Sequence, residues 1–230
     1  MIVTYGQQDV TLPDDPNITG WFEDEAEVRQ AHWRVRPGDV VIDIGCHIGS
    51  YTIPALAAGA MVYAVDPSVA YTGTLVRLCE SNRLDVSRLV VIHEALAAPG
   101  GYEPGFRTAL DTMPYPEHHA PDGAVFSTLD ELAQEHDITR LDWVKIDVEG
   151  AELGVLMGGA ATLRQFVPRL LIEDHTDVYP FVAQMNSRLR CHALLEGFGY
   201  RIETVLYAGH LTPDRSFWVC SPALGKESEK

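Results

Sequence analysis

Five short apolar runs alternate with helix-compatible stretches from residue 38 onward, and this alternation restricts the chain to a small set of architectures. The runs are Val40–Asp43, Met61–Val65, Leu89–Ile92, Trp143–Ile146 and Leu170–Ile172. Runs apolar on both faces suit strands of a parallel sheet with helices on each side. Between them, residues 51–58, 68–82, 128–136 and 151–165 are compatible with helices, and Ser127 or Thr128 followed by Asp130 and Glu131 forms a helix start. The order predicts a doubly wound, mostly parallel α/β sheet. Near the end, Tyr200–Leu206 and Ser216–Cys220 flank a turn region with Gly209 and Pro213, which predicts an antiparallel pair at the sheet edge and seven strands in total.

Charge narrows the partners. Seventeen Lys+Arg against 33 Asp+Glu give a net charge of −16. That disfavours a nucleic-acid groove, where Lys and Arg neutralise phosphates, and an anionic membrane surface for the same reason. No apolar run reaches membrane-spanning length, and Met1–Tyr5 lacks a signal pattern. Cys46, Cys79, Cys191 and Cys220 form no CxxC pair and read as reduced thiols, so a cytoplasmic chain is expected. The expected organisation is one domain over 1–230. It has an acidic N-terminal entry segment (1–37), taken as a solvated helix, and a Pro- and Gly-rich substrate loop over 99–127.

The first strand leads into Asp43-Ile44-Gly45-Cys46-His47-Ile48-Gly49, a Gly-x-x-x-Gly turn before a helix. In open α/β sheets, ligands bind beyond the carboxyl ends of the strands. A dinucleotide fold would place a glycine near Asp43, and a carboxylate there would repel a pyrophosphate. It suits an amino-acid ammonium instead. Asp66, at the end of the second strand and before Pro67, stands at the distance of a ribose-binding acid. Asp43, Gly45, Gly49 and Asp66 together describe a pocket for S-adenosyl-L-methionine, with Cys46 and His47 as turn residues lining it. Glu94 and Ala95, beyond the third strand, fall near the adenine. As an isolated residue, Asp43 would be read as a helix-capping acid. No zinc ligand set accompanies Cys46 and His47.

The fourth strand ends in Lys145-Ile146-Asp147-Val148-Glu149-Gly150-Ala151-Glu152. Val155-Leu156, Gly158-Gly159-Ala160 and then Ile172-Glu173-x-His175 follow. On these blocks the sequence resembles the FkbM family of S-adenosylmethionine-dependent methyltransferases, from about Gly38 to His175. Ile42–Gly49 and Thr128–Leu132 fit as well. The resemblance implies a class I, Rossmann-like methyltransferase domain. It also implies transfer to a small-molecule acceptor, commonly a hydroxyl of a sugar or secondary metabolite. The chain departs from the family at Cys46-His47, where a small residue and Asn are common, and at Asp66, where Glu is common.

A hydroxyl acceptor needs a base to take its proton. Asp147, Glu149, Glu173, Asp174 and His175 stand at the ends of strands four and five. His175 is the first choice, because its unperturbed pKa lies near neutrality. Asp147 and Glu149 are expected to contact the acceptor, and Glu152 to cap the following helix. Such acids would also suit Mg²⁺, the weaker expectation. Glu117-His118-His119 reads as solvated loop, and Trp21, Trp33, Trp143 and Trp218 as packing aromatics. Competing functions are a non-catalytic nucleoside-binding or scaffold protein, a methyltransferase acting on nitrogen or carboxylate, and a nicotinamide-dependent oxidoreductase. The last is disfavoured by Asp43 and the missing third glycine.

Overall fold

The computed structural model describes residues 1–5, 8–101, 123–176, 187–207 and 215–223. Most of the expected substrate loop, including Glu117-His118-His119, lies outside the described residues. A hairpin of β1 (Ile2–Tyr5) and β2 (Gln8–Thr11) precedes helices α1 (Pro16–Asp24) and α2 (Ala26–His32). Then come β3 (Val40–Ile44), α3 (Thr52–Ala57), β4 (Met61–Val65), α4 (Val69–Ser81) and β5 (Leu89–Ile92). A small parallel pair, β6 (Glu94–Leu96) and β7 (Val125–Ser127), leads into α5 (Leu129–Glu135) and β8 (Trp143–Ile146). The chain continues through α6 (Glu152–Gly158), α7 (Ala160–Phe166), β9 (Arg169–Asp174), α8 (Ser187–Phe198), β10 (Tyr200–Tyr207) and β11 (Arg215–Pro222).

Seven strands form one sheet in the order β10-β11-β9-β8-β3-β4-β5. The five from β9 to β5 are parallel, and β11 runs antiparallel to both β9 and β10. The doubly wound sheet with a terminal antiparallel pair is thus as the apolar runs require. Side chains alternate across a strand, so residues two apart share a face. Ile42, Ile44, Val144, Ile146, Leu170 and Ile172 enter one core layer, against α5 to α8. Val41, Val62, Ala64, Trp143 and Leu171 enter the other, with Phe22, Trp33 and Tyr51. By the same parity Asp43, Lys145 and Glu173 face this second layer, on three adjacent strands, under the N-terminal segment.

Two expectations change, and one helix was not foreseen. Asp24 and Glu25 are buried, so the acidic entry segment is not a solvated helix. Helix 151–165 divides at Gly159, which closes α6 and precedes α7. There the chain lies against β6 and α5: a methyl on Gly158 would stand 2.2 Å from the Ala97 carbonyl oxygen, and one on Gly159 2.6 Å from Leu129 Cδ2. Helix α8 carries no clear apolar stripe and escapes a periodicity search. The helix start at Thr128 is a reciprocal capping box with Glu131. No helix among the described residues is long and apolar enough to cross a membrane.

The tight seat of Gly158 gives a direct check. Replacing it by alanine forces backbone from backbone and should destabilise the protein by about 2–4 kcal/mol. Chemical denaturation should show this as a lower midpoint at unchanged slope; an unaltered midpoint would contradict the packing.

Candidate functional site

The chain winds from β3 outward to β4 and β5, and later from β8 to β9 on the other side of β3. The reversal falls between β3 and β8, where such sheets open a crevice beyond their carboxyl ends. Gly45 and Asp147, the residues just past these two strands, meet there. A methyl on Gly45 would lie 1.7 Å from the Asp147 carbonyl oxygen, and Gly45 has φ +77°. Only glycine fits on both counts.

The glycine turn is pinned from below. Gly45 and Cys46 N–H donate to the Val65 carbonyl at 2.8 and 3.1 Å, and Gly49 N–H to that of Cys46 at 2.8 Å. Asp66 ties the loop to the second strand. Its Oδ2 accepts from His47 N–H at 3.0 Å and its Oδ1 from Ser68 N–H at 2.8 Å. A carboxylate has about four lone-pair directions, so both oxygens keep accepting capacity. Burial raises the Asp66 pKa, against those two backbone bonds. His47 sits at φ +48°, a left-handed position that Asn and His tolerate better than most residues. Its ring packs edge-on to Trp21 at 5.1 Å and Tyr71 at 4.0 Å between centroids. Cys46 is buried and its thiol is pushed well up by burial, so it packs and does not react. Pro67 follows Asp66 before α4, and Glu94 and Ala95 lie in β6, half-buried and buried respectively.

Asp43 is 1% exposed. Thr52 Oγ1 donates to its Oδ2 at 2.6 Å. Burial raises its pKa to about 6, with the Thr52 bond and Lys145 opposing. Lys145, its register partner on β8, is fully buried. Its Nζ lies 3.3 Å from Asp147 Oδ2 and 3.9 Å from Glu173 Oε2, and 4.7 Å from the centroid of the Tyr51 ring. Burial works against its charge, but Asp147, Glu173 and Glu25 outweigh it and raise its pKa.

Beyond β9, His175 is enclosed by carboxylates. Nδ1 lies 3.1 Å from Glu152 Oε1 and 3.9 Å from Asp147 Oδ1; Nε2 lies 3.5 Å from Glu173 Oε1 and 3.6 Å from Glu149 Oε2. Glu152 also accepts from Gly150 N–H at 3.0 Å, so it shapes the turn before α6 as well as holding the imidazole. Glu149 at φ +52° and Gly150 at φ +98° make that turn. Burial disfavours the imidazolium, yet Glu149, Glu173 and Glu152 raise the His175 pKa well above its ordinary value. The near-neutral pKa that singles out His175 in the sequence is therefore not the one it has here. For Asp147, burial is outweighed by Lys145 and His175, and its carboxyl is held below the usual range.

The fold brings Asp43, Gly45, Cys46, His47, Gly49 and Asp66 to one end of the sheet, with Asp147, Glu149 and His175 adjoining. Asp174 turns away: it accepts from Thr176, Arg188 and Ser216. Among the described residues, two sets of side chains could hold a cation, Asp147–Glu149–His175 and Glu25–Asp147–Glu173. Glu25, Thr52 and the Glu152–His175 pair were missed in the sequence. Glu25 is separated from its partners by more than a hundred residues and has no local motif. The Asp43–Lys145–Glu173 face could have been read from strand parity.

The family model of the methyltransferase FkbM domain matches residues 43–202. Among solved structures, a magnesium protoporphyrin IX methyltransferase from Synechocystis PCC 6803 with bound SAH aligns with a TM-score of 0.53 and 18% identity, over 94% of this chain and 90% of its own. The O-methyltransferase TomG from Streptomyces achromogenes, in complex with SAM, aligns with a TM-score of 0.52 and 11% identity, over 92% and 82%. A methyltransferase FkbM from Methylobacillus flagellatus KT gives 0.49 and 16% identity over 81% of this chain, which spans 44% of that protein's length. The first two of these neighbours share the class I methyltransferase fold with this chain. No curated protein matches the chain in sequence.

The His175 cage makes stability depend on pH. A raised pKa in the folded state gives stabilisation that is complete below the ordinary histidine value and is lost as pH rises through the folded value. Thermal midpoints should therefore fall on raising pH above neutrality, and His175→Gln should flatten that slope. An equally steep slope in the variant would contradict the cage.

Proposed function

The chain belongs to the FkbM methyltransferase family, and from that premise we propose that it transfers a methyl group from S-adenosylmethionine to a hydroxyl of a small molecule. The observation that carries this is the contact of the Gly45 turn with Asp147 at the reversal point of the sheet. It supports a reading in which the glycine turn receives the cofactor and the neighbouring acids face the acceptor. The donor set suits this cofactor. Asp43 is a buried carboxylate whose ionisation is opposed by burial, and an ammonium beside it would restore its charge. Asp66 keeps lone pairs for a ribose diol beside its two backbone bonds. In this proposal Gly45, Cys46, His47 and Gly49 line the cofactor turn, Pro67 turns the chain after Asp66, and Glu94 and Ala95 border the adenine.

When bound, S-adenosylmethionine supplies an electrophilic methyl on a sulfonium. The protein's part is to align the acceptor and accept its proton. His175 does so in its neutral form, with Nδ1–H donated to Glu152 Oε1 and Nε2 left as the base. Asp147 and Glu149 flank the ring and orient the acceptor hydroxyl. Because the carboxylates hold a proton on His175, transfer should rise with pH and level off above the ordinary histidine range. Residues 1–37 complete the same catalytic unit, and 99–127 select the acceptor.

Titration calorimetry tests the cofactor reading. The protein should bind both S-adenosylmethionine and S-adenosylhomocysteine, more tightly as pH rises through about 6, where Asp43 ionises. Asp43→Asn should weaken binding at least about tenfold, the loss of one charge-assisted contact. At pH 7.5 the same variant should gain stability of about 1–3 kcal/mol, because it removes the cost of a buried charge. Absence of binding by the wild-type protein would overturn the proposal.

A further inference from the structure

Among the described residues, two cation-sized sets of side chains share Asp147, and one of them reaches outside the stretch that the family model matches. Glu25, Asp147 and Glu173 each place a carboxylate oxygen within 4.8 Å of the others. Glu25 and Glu173 are 3% and 2% exposed. Three carboxylates at this separation repel one another strongly where water is scarce, and they need a cation between them. Lys145 supplies one. Its fully buried ammonium approaches Asp147 Oδ2 at 3.3 Å and Glu173 Oε2 at 3.9 Å, and its charge is supported by Glu25 as well.

We propose that the Lys145 ammonium is a tethered cation seated among Glu25, Asp147 and Glu173, where a metal ion would otherwise fit, and that Glu25 is thereby a positioning residue of the site. Glu25 stands at the junction of α1 and α2. Trp21, four residues earlier on α1, packs on His47 of the glycine turn. Residues four apart on a helix share a face, so one helix end touches both the cofactor turn and the acid-lined half of the crevice. An ammonium carries three donors on a flexible stem. Paired with Glu173 and held in the field of Glu25, it fixes Asp147 through Oδ2 and leaves Oδ1 toward His175. The N-terminal segment is then part of the working site, and Lys145 excludes a divalent ion from this seat.

Manganese binding to the full-length protein, followed by electron paramagnetic resonance, tests this without cofactor or acceptor, so failure of methyl transfer leaves it standing. Lys145→Met keeps the stem and removes the charge, and should bind one equivalent of Mn²⁺ more than the wild type. Adding Glu25→Gln should weaken that binding at least tenfold. No gain in Lys145→Met, or no loss in the double variant, overturns the proposal. Should Lys145→Met not fold, Glu25→Gln alone decides. The slowly exchanging ¹⁵N resonance of the buried Lys145 ammonium should shift or broaden away in Glu25→Gln, and an unchanged resonance overturns the proposal.

Discussion

The contact between Gly45 and the carbonyl of Asp147 governs the rest of the site. A parallel sheet that winds both ways from its centre must leave two neighbouring strands whose chains depart in opposite directions, and β3 and β8 are these two. Their exits can lie together only if one lacks a side chain. Gly45 meets this requirement, and its φ of +77° sends the chain over the strand end into the turn that Asp66 then fastens. The close approach of the two strand exits follows from topology and one absent methyl group, before any ligand is considered.

Charge is the second constraint. Asp43, Asp147, Glu149, Glu152, Glu173 and Glu25 gather at one end of the sheet, and Lys145 and His175 lie among them. A buried carboxylate either takes up a proton or finds a cation. Burial raises the Asp43 pKa, Lys145 and His175 hold that of Asp147 down, and the surrounding carboxylates raise that of His175. Adjacent groups therefore differ in proton affinity. The strongly acidic composition partly reflects this cluster, and Glu25 shows that the acidic N-terminal segment contributes to it.

The legible part of the molecule is the part written in short-range pattern. Apolar runs of three to five residues marked the parallel strands, because covered strands have few alternatives. The Gly45–Gly49 turn and the Lys145–Glu152 block were visible as contiguous motifs. Long-range placement was not. Glu25 reaches Asp147 and Glu173 only through the packing of α1 and α2 on the sheet. The division of helix 151–165 depends on how closely Ala97 and Leu129 approach Gly158 and Gly159. The protonation of His175 depends on four carboxylates, of which Glu152 was read only as a helix cap.

The central claim is that one crevice at the reversal of the sheet holds both the methyl donor and the group that takes the acceptor's proton. A crystal structure with S-adenosylhomocysteine bound measures this most directly. The account predicts the ribose hydroxyls on Asp66, the amino group toward Asp43, and the sulfur opening toward Asp147, Glu149 and His175. A ligand seated elsewhere, or one whose sulfur faces away from His175, would contradict it.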